Sequence, residues 1–232
     1  MKSLSILIPI YNEEESLQAL FDELKFSFEN NQSIEIIFIN DGSSDMSQKV
    51  IENEIANHST WKLINLYRNY GKSVALQSGI DIASNELIAT LDGDLQDDPK
   101  ELINLVRELN EDDVIVGWKK DRLDPLEKKI ASKIFNFFIK LFSGLKIKDS
   151  NSGIKVLKKE VAKSLNLYGG RHRYIPLLAH QKGFNVKEIP VNHRERKFGK
   201  SKYGAERYKH GFFDFMTILF LGKYMDLSLI HI

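Results

Sequence analysis

The sequence predicts an α/β fold, a mostly parallel sheet flanked by helices. Two observations predict it. Over residues 4–118, short apolar, β-rich runs alternate with stretches of helical spacing, the pattern of successive βαβ units. The ends of those runs are polar and largely acidic, as expected where parallel strands open onto a ligand.

The elements follow in order. "LSILIPIY" (4–11) reads as a buried strand. In "EEESLQALFDELKFSFE", Leu17, Leu20, Phe21, Leu24 and Phe28 recur at helical spacing. "IEIIFIN" (34–40) is a second strand, and "DGSSD" (41–45) a turn in which Ser44 or Asp45 caps a helix over 46–56. "WKLINLY" (61–67) is a third strand and "GKSVALQSGIDIAS" (71–84) a helix. "ELIATLD" (86–92) is a fourth strand, "PKELINLVRELN" (99–110) a helix opened by Pro99, and "DVIVGW" (113–118) a fifth strand.

Beyond 118 the alternation stops. Residues 126–146 read as a basic helix with an apolar stripe: Ile130, Ile134, Phe137, Phe138, Leu141, Phe142 and Leu145 beside Lys128, Lys129, Lys133 and Lys140. Residues 153–167 hold a short strand and a helix. "RYIPLLAHQKG" is helical and stops at Gly183. "VKEIPV" (186–191) is a strand whose Pro190 favours a sheet edge. "HRERKFGKSKYG" (193–204) is a basic loop, and 205–232 an aromatic, apolar tail. The expected division is a domain over 1–204 and an amphipathic, membrane-associated tail over 205–232.

Composition narrows the function. The 232 residues contain no cysteine, which excludes disulfides and thiolate metal sites and fits a reducing compartment. The short apolar start meets Asn12 and three glutamates instead of a cleavage site, so no signal peptide is expected. No run of about 20 apolar residues is present to span a bilayer unaided. The net charge of +1 conceals a division. Residues 1–118 hold 22 Asp/Glu and 8 Lys/Arg, whereas 119–232 hold 10 and 25. A basic half suggests an anionic partner: nucleic acid, a phospholipid surface or phosphates. A nucleic-acid-binding module leaves the carboxylate-lined strand ends unexplained, so no nucleic acid is expected.

The densest acidic stretch is "LDGDLQDDP", where Asp92, Asp94, Asp97 and Asp98 fall within seven residues. A hard cation such as Mg²⁺ takes one or two carboxylates, keeps several waters and completes its shell with substrate phosphates. Asp92 and Asp94 share a face if the chain stays extended, and Gly93 admits a close ligand. That suits a diphosphate leaving group. Asp97 and Asp98 read as a solvated loop that caps the next helix. The basic loop supplies counter-charge, since Arg offers a fork to phosphate oxygens and Lys a point charge.

The ordered set of motifs resembles the family 2 glycosyltransferases of the GT-A, Rossmann-like fold, and within them the polyprenyl-phosphate branch of dolichol-phosphate mannosyltransferases and undecaprenyl-phosphate glucosyltransferases. The matching pieces are "IPIYNEEESL" (8–17), "INDGSSD" (39–45), "RNYGKSVAL" (68–76), "LDGDLQDDP" (91–99), "DSNSGIKV" (149–156), "RYIPLLA" (173–179) and "HRERKFGKSKYG" (193–204). The resemblance covers about residues 4–204 and implies an inverting transfer of a hexose from a UDP- or GDP-sugar to a polyprenyl phosphate. It implies that Pro9, Tyr11, Glu13 and Asp41 hold the base and ribose, with Lys72 near the nucleotide. It places Asp92, Asp94 and Gln96 around Mg²⁺ or Mn²⁺; Gln96 would share the face of Asp94 on an extended chain. Arg196 and Lys202 would close on the diphosphate, with Ser201 beside them and Gly199 and Gly204 giving a lid its freedom. Arg122, Lys129 and Ser132 match the acceptor-phosphate site, where Lys129 departs from the more usual Arg. Asp149, Ser152 and Gly153 match a turn beside that site, Asp149 in a structural part. Asp92 serves either as metal ligand or as base.

Such an enzyme works at a membrane surface, here the cytoplasmic face. The uncharged run from Phe215 to Gly222 is too short to span, so the tail either lies in the interface or packs on the core. A family member acting on a non-lipid glycan is the alternative.

Overall fold

A computed structural model describes residues 2–28, 31–119, 141, 143–192, 194 and 214–220. Most of the expected basic helix and most of the basic loop, and with them Arg122, Lys129, Ser132, Arg196, Gly199, Ser201, Lys202 and Gly204, lie outside the described residues. So does the expected boundary at 204/205.

Seven strands form one sheet: β1 (Leu4–Ile10), β2 (Ile34–Asn40), β3 (Trp61–Asn65), β4 (Leu87–Thr90), β5 (Val114–Lys119), β6 (Lys155–Lys158) and β7 (Val186–Val191). Their order is β3-β2-β1-β4-β6-β5-β7. All neighbours are parallel except β6, which runs antiparallel between β4 and β5. Pro190 sits on β7, a sheet edge, where its missing N–H costs no ladder bond.

The helices are α1 (Glu14–Phe28), α2 (Ser47–Ile55), α3 (Lys72–Ile82), α4 (Glu101–Glu108), α5 (Lys159–Ser164) and α6 (Ile175–Gln181), the last preceded by a 3₁₀ turn at Arg171–Tyr174. Alternation along the strands divides the core into two layers. Ile6, Ile8, Ile36 and Phe38 face α1, α2 and α4, while Leu7, Ile37, Ile39 and Val116 face α3, α5 and α6. The five apolar positions expected on α1 are all buried there. Burying each such side chain contributes about 1.5–3 kcal/mol.

Glu35 ties the amino end of the sheet together. It accepts hydrogen bonds from Ser5 Oγ, Lys62 Nζ, Ser84 Oγ and the Ser84 N–H. Burial alone would raise its pKa, but these donors hold it below the ordinary value.

Residues 214–220 are helical and pack by one face, Phe215 and Ile218, against Tyr174 and Leu177. Met216 and Phe220 on the same segment are exposed. Among the described residues no helix is long and apolar enough to cross a membrane.

Candidate active site

Four strand ends meet at the carboxyl edge of the sheet, and their loops are sewn together by backbone donors. Asn12, in the left-handed region at φ 51°, donates its N–H to Ser43 Oγ (3.0 Å) and accepts the Ser44 N–H on Oδ1 (2.7 Å). Glu13 N–H donates to Ser47 Oγ (2.9 Å). The α1 and α2 starts cap each other: Asp45 accepts the N–H groups of Glu14 and Ser47, and Glu14 accepts that of Met46. Of the two caps expected for α2, Asp45 is the one that forms.

Asp41 fixes the third loop. Its two carboxylate oxygens accept the N–H groups of Tyr70 and Gly71, each at 2.8 Å. Burial pushes its pKa up, against the pull of those two donors. Gly42 beside it has φ +67°, and a Cβ there would lie 2.3 Å from the Arg68 carbonyl carbon. Only glycine fits both demands.

Pro9, Tyr11, Glu13, Asp41, Lys72, Asp92 and Asp94 all line one cleft of about 190 Å³, together with Ile10, Asn69, Gly71 and Gly93. Seven of the eight described residues expected at the site are thus brought together. A second cleft, of about 210 Å³, opens at the amino ends of β2 and β3 beside His58 and Trp61 and is lined by no carboxylate. Parallel sheets bind ligands at the carboxyl ends of their strands, which favours the first.

The exception is Gln96. β4 ends at Thr90, and residues 93–94 form a turn followed by Leu95 at φ +61°. Buried Leu95 anchors that turn, so the chain is not extended and the expected shared face of Asp94 and Gln96 is lost. Asp94 Oδ1 instead accepts the Gln96 N–H (3.2 Å). Gln96 does not line the cleft.

Asp97 also differs from its expectation. It is neither solvated nor a cap: it is 2% exposed and pairs with Lys119 Nζ at 2.8 Å. Asp98 does cap, accepting the Lys100 N–H (3.0 Å), and pairs with Arg194.

Beneath the cleft lies a balanced charge cluster of Asp92, Asp97 and Asp149 with Lys72, Lys119 and Lys155. Lys72 Nζ pairs with Asp92 Oδ1. Burial opposes ionisation of Asp92, but the ammonium of Lys72, then those of Lys119 and Lys155, hold its carboxyl well below the usual range. Burial lowers Lys119, and its carboxylate neighbours, Asp97 foremost, more than offset that. Lys155, buried with its ammonium on the Ser152 carbonyl, is lowered to about 8 by burial and by Lys72. Asp149 is buried, and its N–H donates to Glu188 Oε1 (2.7 Å). His172 Nδ1 meets Ser73 Oγ (2.9 Å) at the first turn of α3; burial, then Lys72 and Arg173, keep its imidazole neutral.

Lys119, Lys155 and His172 escape sequence reasoning. Lys119 ends a strand at the same edge as the carboxylates, and Lys155, the first residue of β6, stands between Ile154 and Val156 in an otherwise apolar run. Those two placements are the signals that point to them.

Gly153 explains the tightness of this floor. A Cβ there would lie 2.6 Å from Asp92 Oδ2 and 2.7 Å from Asp97 Oδ2. Gly153→Ala is therefore expected to displace Asp92 and cut turnover about tenfold or more, in line with the cost of small misplacements in a site. Steady-state kinetics at unchanged secondary structure checks it, and wild-type kinetics would contradict it.

Comparison with known proteins completes the picture. The profile of glycosyl transferase family 2 matches residues 5–165. The chain belongs to glycosyl transferase family 2. As a family 2 glycosyltransferase it has relatives by sequence. It is 34% identical over 228 residues to dodecaprenyl-phosphate galacturonate synthase of Rhizobium johnstonii, covering 95% of this chain and 68% of the relative. It is 35% identical over 235 residues to undecaprenyl-phosphate 4-deoxy-4-formamido-L-arabinose transferase of Yersinia pestis, covering 99% and 71%. The chain thus spans about two thirds of the length of these relatives. Among solved structures, a mannosyltransferase from Pyrobaculum calidifontis, in complex with GDP-mannose and Mn²⁺, superposes with a TM-score of 0.70 at 15% identity, over 98% of this chain and 65% of that one. TarS of S. aureus with UDP-GlcNAc gives 0.67 at 17% identity, over 100% and 69%. These likenesses establish the GT-A fold of the family 2 enzyme.

Proposed function

We propose that this chain transfers a glycosyl group, a hexose as the family resemblance implies, from a nucleoside diphosphate sugar to a polyprenyl phosphate, with inversion at the anomeric carbon. The observation that carries the proposal is the single cleft in which Asp41, Tyr11 and Pro9 meet Lys72, Asp92 and Asp94. A nucleoside fits the first group and a diphosphate the second. The relatives named above both act on polyprenyl phosphates, which supports the acceptor.

Asp92 and Asp94 would hold a divalent cation. The fit is direct: Asp92 Oδ1 already faces an ammonium, so a cation is the charge this oxygen is built to meet. Among the described residues no group of three or more His, Cys, Asp or Glu forms a cage. An ion such as Mg²⁺ or Mn²⁺ takes one or two carboxylates and completes its shell with water and phosphate. Bound there, it supplies charge neutralisation for the departing diphosphate.

The chain's own residues do the rest. Asp41 orients the base, and Glu13 and Tyr11 flank the nucleoside. Lys72 from α3, with Arg196 and Lys202 of the basic loop, counters the diphosphate as the bond from the anomeric carbon to its oxygen breaks. Arg122, Lys129 and Ser132 hold the acceptor phosphate, whose oxygen forms the new bond. That phosphate is already an anion near neutral pH and needs no strong base. Asp92 Oδ1 lies on the Lys72 ammonium, which favours a role as cation ligand over proton acceptor. Residues 1–204 form the catalytic domain. The tail from 205, with exposed Met216 and Phe220, rests on the cytoplasmic membrane surface where the lipid acceptor resides.

The test is a matrix of UDP- and GDP-sugars against a short polyprenyl phosphate, read by mass. Formation of a polyprenyl phosphate sugar is the expected result. Transfer to a soluble glycan in preference to the lipid would replace this acceptor with the alternative.

A further inference from the structure

Three ammonium groups serve the charge cluster under the cleft, but they are not equivalent. Lys119 is bound to Asp97, both side chains nearly sealed from solvent. Lys155 is buried with its ammonium on the Ser152 carbonyl. Lys72 alone of the three lines the cleft, with 23% of its side chain exposed. It stands at the first position of α3, after Gly71 at φ +92°. A helix start favours anions and disfavours a cation, so Lys72 is held there by Asp92 and not by its own helix. Its four-carbon stem lets the ammonium travel. Asp92 is the shorter and more closely packed partner, with Oδ2 against Gly153 and no room for a methyl group between them.

We propose that Lys72 is an exchangeable counter-ion: in the free protein its ammonium occupies the cation position on Asp92 Oδ1, and on donor loading it leaves that oxygen to the divalent ion and moves onto the diphosphate. This rests on the reading of Asp92 as a cation ligand and goes beyond it. It makes the cleft self-neutralising when empty, and it couples metal binding to nucleotide binding. A divalent ion alone must expel the ammonium; a divalent ion with a diphosphate gives that ammonium a new anion to join. No bond other than ionic contacts is made or broken.

The experiment measures Mn²⁺ binding by electron paramagnetic resonance, on the full chain, with and without UDP or GDP. Wild type should bind Mn²⁺ weakly alone and much more tightly with the matching nucleotide. Lys72→Met should bind Mn²⁺ alone about tenfold or more tightly than wild type, because the competitor is gone. It should also lose most of the enhancement by nucleotide. Lys72→Arg, which keeps a cation at the position, should stay close to wild type in the absence of nucleotide. Equal Mn²⁺ affinity of wild type and Lys72→Met without nucleotide overturns the exchange while leaving Asp92 a ligand. Absence of Mn²⁺ binding in every protein, with nucleotide present, overturns the metal reading and the exchange with it.

Discussion

Asp94→Ala is expected to abolish sugar transfer while the protein keeps its fold. Asp94 lines the cleft, and its carboxylate is only partly buried. Its Oδ1 accepts the Gln96 N–H, at a turn that Leu95 anchors independently. The turn therefore keeps its anchor when the Asp94 side chain is removed. The substitution does remove one of two carboxylates proposed to hold the cation that neutralises the leaving diphosphate. Loss of a preorganised group at developing charge lowers turnover by about 10²–10³-fold, and loss of the ion itself by more. Turnover and the thermal midpoint, measured on the same preparation, separate the two effects. Excess EDTA should reproduce the loss in wild type. Full activity in EDTA, or an active Asp94→Ala protein, would remove the metal from the account.

The largest expected effect on stability belongs to Asp97. It is the carboxylate 2.8 Å from Lys119 Nζ, and the side chains of the pair are 1% and 11% exposed. Asp97→Ala leaves an ammonium in the interior without its closest counter-charge. Breaking one partner of such a pair costs about 3–5 kcal/mol. At about 2–4 °C per kcal/mol for a domain of this size, the midpoint should fall by roughly 6–20 °C. Differential scanning calorimetry checks this. A change below about 1 kcal/mol would mean that water reaches Lys119 and that the floor of the cleft is not sealed. The double variant Asp97→Ala with Lys119→Met should recover part of the loss, since it removes both charges together.

These two aspartates, three residues apart, show what the sequence does and does not carry. Helical spacing on α1 and the apolar runs of β1 and β2 are local signals, and the structure follows them residue by residue. The strand-end carboxylates were legible for the same reason: the rule that ligands gather at the carboxyl ends needs only the positions where strands stop. Asp97 is not legible in the sequence because its surroundings are not local. Its partner Lys119 ends β5, and Gly153, which closes the space above it, precedes β6. β6 enters the sheet antiparallel, between β4 and β5, and no spacing within residues 150–160 announces that position. Gln96 stands apart from the cleft for a conformational reason: a face shared with Asp94 requires an extended chain, and a left-handed Leu95 interrupts it. Lys155 shows the converse: a lysine within an apolar run is a visible oddity, but its proximity to Asp92 exists only once β4 and β6 pair.

The central claim is that the cleft at the carboxyl ends of β1, β2 and β4 is the donor site of a polyprenyl-phosphate glycosyltransferase. A crystal structure of the chain with the nucleoside diphosphate it turns over, and Mn²⁺, tests it most directly. The base is expected against Tyr11 and Asp41, and the diphosphate between Lys72 and an ion held by Asp92 and Asp94. A nucleotide bound elsewhere, such as beside His58 and Trp61 at the amino ends of the strands, or an ion that leaves both aspartates untouched, would contradict this claim.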